Sequence, residues 1–398
     1  MSSAFFKKGV VELESRRKIR ILTGVLVIFI ASSIALCVKN FKLESEIESK
    51  SNLIELEKYV NDNYYKAADK EAAMNGALKG YVEGLEDPYS SYLTADEYNS
   101  WKTMESGTMV GIGVTVQFDE ESGLYVAEVK EGYPAYESGI KEGDIITEVE
   151  GESIPEMGYE EAVSRIKGEE GTSVNLTIKR DDNEDMKFSV LRSEIVVNTV
   201  SGKMLDEDIA YIRISAFREN TDEQFKEIFD ELIDDGAKGI VFDLRNNGGG
   251  MLVSLKAILD PLLPEGTIAT AKYGNGEVRT IVESDKNEIN LPMAVLVNGN
   301  TASAAELFAA SLSDFDKAFL VGETTYGKGV MQDTREVAGG AVTLTVATYQ
   351  TVRGECYHGI GITPDYEVSL SEDFVLDYEN PDEKGDSQLK TAIENLKK

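Results

Sequence analysis

The chain has 398 residues, with 40 Lys+Arg against 72 Asp+Glu, one His and two Cys. A formal net charge of −32 argues against general nucleic-acid binding, which needs clustered basic side chains. The single His, His358, excludes a multi-His metal centre, and Cys37 and Cys356 form neither a disulfide framework nor a metal-ligand spacing.

Length implies two or three domains. Residues 1–20 carry six basic side chains against two acidic ones, a net of +4. An uncharged run then starts at Ile21 and ends at Val38 (ILTGVLVIFIASSIALCV). As a helix it reaches roughly 27 Å, close to the hydrocarbon thickness of a bilayer. Residues 21–38 are therefore expected to form a single transmembrane helix, with the basic head 1–20 in the cytoplasm and the acidic body outside. Ser33-x-Ala35 offers a signal-peptidase site, so a cleaved, secreted form is the alternative.

Residues 39–105 read as a helical N-terminal region. Leu43, Ile47, Leu53, Leu56 and Val60 recur at near-helical spacing, which suits a helix lying on the body or one pairing with a second copy as a homodimer. A further helix is expected over 71–84, a break at Asp87-Pro88-Tyr89, and a capping box at Thr94–Glu97 that starts another helix. From 106 to 195 glycines punctuate short apolar runs, and two alternating segments around a DDNED turn predict a hairpin. A small β-domain is expected there, with a short helix over 160–167.

Between 196 and 370 strands and helices alternate, the pattern of an α/β layer with crossovers. The tail, 371–398, is acidic and then helical, and is expected to pack loosely.

Three segments of the α/β part suggest chemistry. FDLRNNGGG ends a buried strand in polar residues and glycines and then opens a helix, an arrangement suited to a phosphate or an oxyanion. In TASAAE, Ser303 stands at a strand–turn–helix corner, where it is either an exposed nucleophile or, like Thr301, simply a helix N-cap. In YGKGVMQ, Lys328 lies between two glycines in a neutral stretch, with Gln332 four residues on. Burial lowers a lysine pKa, and a neutral lysine serves as general base to a serine.

Eight motifs in this order, LEDPYSSYL, VGIGV, SGIKEGDIITEVEG, GTSVNLTIKR, FDLRNNGGG, TASAAE, YGKGVMQ and GIGITPD, resemble the carboxy-terminal processing peptidases over roughly residues 60–370. The resemblance implies an α+β multidomain chain: a PDZ domain at 106–195 and a crotonase-like or ClpP-like α/β peptidase core at 196–370. It implies Ser303 as nucleophile, Lys328 as base and Gln332 as its support. The oxyanion donors would be Ala304 N–H and one of Gly249 or Gly250. Gly111, Ile112, Gly113 and Val114 would receive the C-terminus of a peptide or protein substrate, with no metal or organic cofactor. Lys167 stands where relatives commonly carry an arginine that couples the PDZ domain to the core, and Lys lacks its bidentate fork. His358 is expected to be a loop residue, and Asp243 with Arg245 a structural pair. The rival readings are an inactive PDZ scaffold at the membrane and an acyl-CoA enzyme.

Overall fold

The computed structural model describes residues 32–33, 51–180, 185–205, 208–286, 288–353, 356–371, 373–382 and 385–398. The expected span 21–38 lies outside them except for Ser32 and Ser33. Among the described residues no helix is long and apolar enough to cross a membrane. The chain divides into two compact units, Met1–Leu78 and Lys79–Lys398. In the first, residues 51–63 are helical, and Ile54, Leu56 and Tyr59 are exposed. A second helix, Lys70–Glu83, continues across the boundary.

Within the second unit, the helix Ala95–Glu105 starts at the expected capping box: Thr94 Oγ1 accepts from the Glu97 N–H and Glu97 accepts from the Thr94 N–H. The β-domain is an antiparallel sheet in the order Val114–Asp119, Gly123–Val129, Ile145–Val149, Ser173–Lys179, Met186–Leu191. Alternation along the strands sends Leu124, Val126, Ile146, Val174 and Ile178 into one core. The helix Tyr159–Ile166 adds Ala162 and Ile166, four residues apart on one face. Thr108–Gly111 pairs with Ser193–Val196, so the chain enters and leaves this domain through one two-stranded ribbon.

The α/β core is built on six strands in the order Val200–Leu205, Ile209–Ile214, Gly239–Asp243, Met293–Val297, Ala318–Gly322, Tyr366–Glu367. Only the first pair is antiparallel. All five residues of both Gly239–Asp243 and Met293–Val297 are buried, as central parallel strands covered on both faces require. On one face Ile240 and Phe242 meet Phe225, Leu255, Leu307 and Phe308 from the helices Thr221–Asp234, Leu252–Leu259 and Ala304–Asp314. On the other, Val241, Ala294, Leu296 and Val321 meet Leu389, Ala392 and Ile393 of the C-terminal helix Ser387–Leu396.

That second contact corrects the expectation of a loosely packed tail. The helix is capped by Asp386, which accepts from the N–H groups of Gln388 and Leu389, and it covers the strands Gly239–Asp243, Met293–Val297 and Ala318–Gly322 on a face that would otherwise be wet.

A second sheet carries another correction. Gly340–Thr351 pairs with Val330–Val337 and Gly266–Tyr273, and the latter with Val278–Ser284. Its remaining neighbour is Ser91–Leu93, in register with Thr343, Val342 and Ala341. The region 39–105 is thus not wholly helical. Its LEDPYSSYL motif contributes an edge strand to the peptidase core.

Candidate active site

Three neighbouring parallel strands, Gly239–Asp243, Met293–Val297 and Ala318–Gly322, end at the same edge of the sheet. Each leads into one of the three chemical motifs. Parallel α/β sheets place their sites at the carboxyl ends of strands, so adjacency in the sheet brings together segments up to 90 residues apart.

Hydrogen bonds fasten the loops to one another. Ala302 N–H donates to Asn247 C=O at 2.9 Å, Thr301 Oγ1 to Leu244 C=O at 2.9 Å, and Tyr326 N–H to Thr301 C=O at 3.0 Å. Asn298 and Asn300 both donate side-chain N–H groups to Asn246 Oδ1, at 3.0 and 2.9 Å. Thr301 is fully buried in this lattice and caps no helix.

Ser303 precedes the helix Ala304–Asp314 at the N-cap position, with φ 58° and ψ −119°. An ordinary cap sits in the β region; a positive φ on a serine is strained, and such strain persists where surrounding contacts enforce it. Gly249, at φ 96°, packs directly against this corner. A Cβ on Gly249 would stand 2.7 Å from Ala302 C=O and 2.8 Å from both Ala304 N and Ser303 Cβ. Gly249→Ala is therefore expected to displace the Ser303 corner and cut kcat about 100-fold or more. Tm would fall as well, and a peptide-cleavage assay beside a thermal melt checks both.

The candidate oxyanion donors separate. Asn247 Oδ1 accepts the Gly249 N–H at 2.8 Å, so that group is already satisfied, while Gly250 and Ala304 N–H carry no hydrogen bond among the described residues. Gly250 has φ 140°, and a Cβ there would lie 2.0 Å from Phe217 C=O, so this position admits only glycine.

Lys328 is half-buried. Burial holds its pKa below the usual lysine value, with Asp87 and then Glu306 pulling it back up. Its Nζ lies 4.9 Å from the centroid of the Tyr89 ring. Among the described residues no hydrogen bond joins Gln332 to it: Gln332 Nε2 donates to Thr345 Oγ1 at 3.1 Å, beside a register shift between Met331 and Gln332. Tyr349 is buried, and burial pushes its hydroxyl up to about 12, with the Ser303 hydroxyl facing it and acting in the opposite sense. His358 packs edge-on to Tyr89, ring centroids 6.1 Å apart, as a loop residue at the rim.

The residue that ties these parts together is Glu306, which sequence reasoning passed over. Fully buried, it accepts from Ser303 N–H (2.9 Å), Thr325 Oγ1 (2.6 Å), Gly327 N–H (2.7 Å) and Lys328 N–H (2.7 Å). A signal existed: Ser303-Ala-Ala-Glu306 has the S-x-x-E spacing of a capping box.

Asp243 and Arg245 form the expected structural pair. Arg245, 1% exposed, binds Asp243 and reaches Asp386 at 2.7 Å and Gln388 at 3.0 Å, while Tyr211 OH donates to Asp243 at 2.7 Å. This buried network locks the C-terminal helix to the root of the Asn246–Gly250 turn.

In the β-domain, Gly111, Ile112, Gly113 and Val114 line a cavity of about 570 Å³ that Lys167 and Arg213 border from other elements. Among the described residues Val114–Asp119 has one strand neighbour, Gly123–Val129, and its other edge is open. Ile112 is 2% exposed and belongs mainly to the domain core. Lys167 is exposed at the end of its helix.

A PDZ-type module joined to an α/β layer with a serine corner defines the class. The sequence matches the family models for peptidase family S41 over residues 208–368, the PDZ domain over 102–179, and the N-terminal domain of the activating protease CtpB over 38–97. The carboxy-terminal processing protease CtpA of Bacillus subtilis (strain 168) is 35% identical over 345 residues, 85% of this chain and 74% of that protein. A CtpA-like serine protease of Staphylococcus aureus (strain COL) is 33% identical over 90% of this chain and 73% of its own length. A solved S41 protease structure from Bacteroides fragilis NCTC 9343 shares the fold at TM-score 0.51 and 18% identity, over 84% of this chain and 91% of that one. The chain belongs to the S41 carboxy-terminal processing proteases and is a serine peptidase, which sets the acyl-CoA reading aside.

Proposed function

We propose that this chain is a membrane-anchored endopeptidase that takes exported proteins by a non-polar C-terminus and cleaves them with a Ser303–Lys328 dyad. The observation that carries the reading is the shared Glu306 carboxylate, which bonds both the Ser303 and the Lys328 N–H. Neutral Lys328 takes the Ser303 Oγ proton as Oγ attacks the scissile carbonyl. Ala304 N–H and Gly250 N–H stabilise the oxyanion, each worth about 3–4 kcal/mol in comparable sites. The proton then passes from Lys328 to the leaving amine; water, deprotonated by Lys328, attacks the acyl-enzyme, and Lys328 returns that proton to Ser303 Oγ as the ester bond breaks. Gln332 supports the base indirectly, through Thr345.

The tail would add to the open edge of Val114–Asp119, with its carboxylate at the Gly111–Val114 loop. The uncharged run 21–38 supports the anchor, with the catalytic body outside the cell. Exposed apolar residues on the 51–63 helix support pairing with a second copy.

Ser303→Ala tests the nucleophile on a peptide ending in apolar residues; full cleavage by the purified variant would end the assignment. In the wild type kcat/KM is expected to rise with pH as Lys328 loses its proton. The limb should lie below the ordinary lysine pKa of about 10.4.

A further inference from the structure

The LEDPYSSYL segment is built into the core more firmly than a linker needs to be. Ser91, Tyr92 and Leu93 pair with Thr343, Val342 and Ala341, and Tyr92 OH donates to Ala338 C=O at 3.1 Å. Ahead of this strand, Ser90 Oγ accepts the Thr345 N–H at 3.0 Å and donates to Asp87 Oδ2 at 2.5 Å, and Asp87 Oδ1 accepts the Tyr89 N–H at 3.1 Å. Thr345 is the residue whose hydroxyl holds Gln332. The loop 87–90 is thus fixed to the strand that backs the Lys328 segment, and the group it presents is the face of Tyr89, 4.9 Å from Lys328 Nζ.

We propose that Tyr89 is a positioning residue for Lys328, its ring face holding the amine-bearing end of that side chain at the reaction centre, so that segment 87–93 completes the active site. The inference rests on Lys328 being the base. An ammonium is attracted to the negative face of an aromatic ring. The ring is itself braced by His358, which packs edge-on to it with ring centroids 6.1 Å apart. The other charged groups facing Lys328 are Asp87, from the same loop, and Glu306, from the Ala304–Asp314 helix, while His358 faces Asp87. Both carboxylates attract the ammonium without fixing its direction along the ring normal. A flexible four-carbon side chain between two glycines needs such a stop.

The test compares the purified full chain with its Tyr89→Leu and Tyr89→Phe variants, measuring kcat, KM and the pH dependence of kcat/KM. Leucine keeps apolar cover but removes the ring face, so the ammonium is less favoured. The limb should move to lower pH by about half a unit to one unit. In the same variant kcat should fall about tenfold, with KM within twofold of wild type. Phenylalanine keeps the face and is expected to restore the wild-type limb.

A limb that stays in place or moves upward in Tyr89→Leu overturns the proposal. So does Tyr89→Phe behaving as Tyr89→Leu, because the Tyr89 hydroxyl and not its ring face would then be what matters. If Tyr89→Leu melts below the assay temperature, Tyr89→Met carries the same expectations. An active Lys328→Met variant would defeat the underlying reading; an inactive one beside an unshifted Tyr89→Leu defeats this inference alone.

Discussion

Lys328→Met is expected to be inactive, with kcat down about 10⁴-fold, and at the same time no less stable than the wild type. The two halves of that result have one cause. Lys328 stands half-buried, and burial disfavours its charged form more than Asp87 and Glu306 favour it, so its pKa is lowered on folding. A lysine whose pKa is lowered in the folded state costs nothing above its unfolded pKa, where neither state is protonated. As pH falls from there towards the folded pKa, the unfolded chain binds the proton first and stability declines. Below the folded pKa the full cost is present and constant. Methionine keeps the unbranched apolar stem and removes the charge. The difference in unfolding free energy between Lys328→Met and wild type should therefore favour the variant and widen as pH falls through that window. Chemical denaturation at several pH values reads it directly. A variant both inactive and markedly less stable would mean that Lys328 is chiefly structural.

What was legible in the sequence follows from the range over which each feature is determined. Ser303 and Lys328 stand in local patterns, a strand–turn–helix corner and a lysine between glycines, which single them out as candidates from the sequence. The capping box at Thr94–Glu97 is equally local and is present. The Asn247 bond that occupies Gly249 N–H is also local, but it depends on backbone angles that residue types do not specify, and it separated two glycines that looked equivalent.

Long-range placement was opaque for a different reason. Ser91–Leu93 is a three-residue strand following a turn, too short for any period, and its partner lies some 250 residues on. Leu389, Ala392 and Ile393 have helical spacing, but nothing near them announces that Arg245 and Asp386 lock that helix beneath the active-site turn. The hairpin Gly266–Tyr273/Val278–Ser284 was missed although Asn275-Gly276 marks its turn, with Gly276 at φ 84°.

Glu306→Ala should damage both folding and catalysis, and Glu306→Gln should separate the two. One carboxylate satisfies three backbone N–H groups and the Thr325 hydroxyl, all in the buried joint between the Ser303 corner and the Lys328 loop. Truncation leaves those groups without a partner at about 1–3 kcal/mol apiece. Some would be rehydrated, so a net loss of about 3–5 kcal/mol is expected, with a correspondingly lower Tm. Glutamine preserves the volume and one acceptor oxygen. Set towards Thr325 and Gly327, that oxygen keeps two bonds, and the amide NH₂ then confronts the N–H groups of Ser303 and Lys328, donor against donor. Stability should fall by about 1–3 kcal/mol, while Ser303 and Lys328, the proposed nucleophile and base, lose the one atom, Oε2, that bonds both their N–H groups. Because a misplacement near 1 Å costs about 100-fold in rate, kcat of Glu306→Gln should drop by that factor or more at temperatures where circular dichroism shows it fully folded. A folded Glu306→Gln enzyme with wild-type kcat would show that the two catalytic segments are held in register by the sheet alone, and that the carboxylate serves only the helix cap.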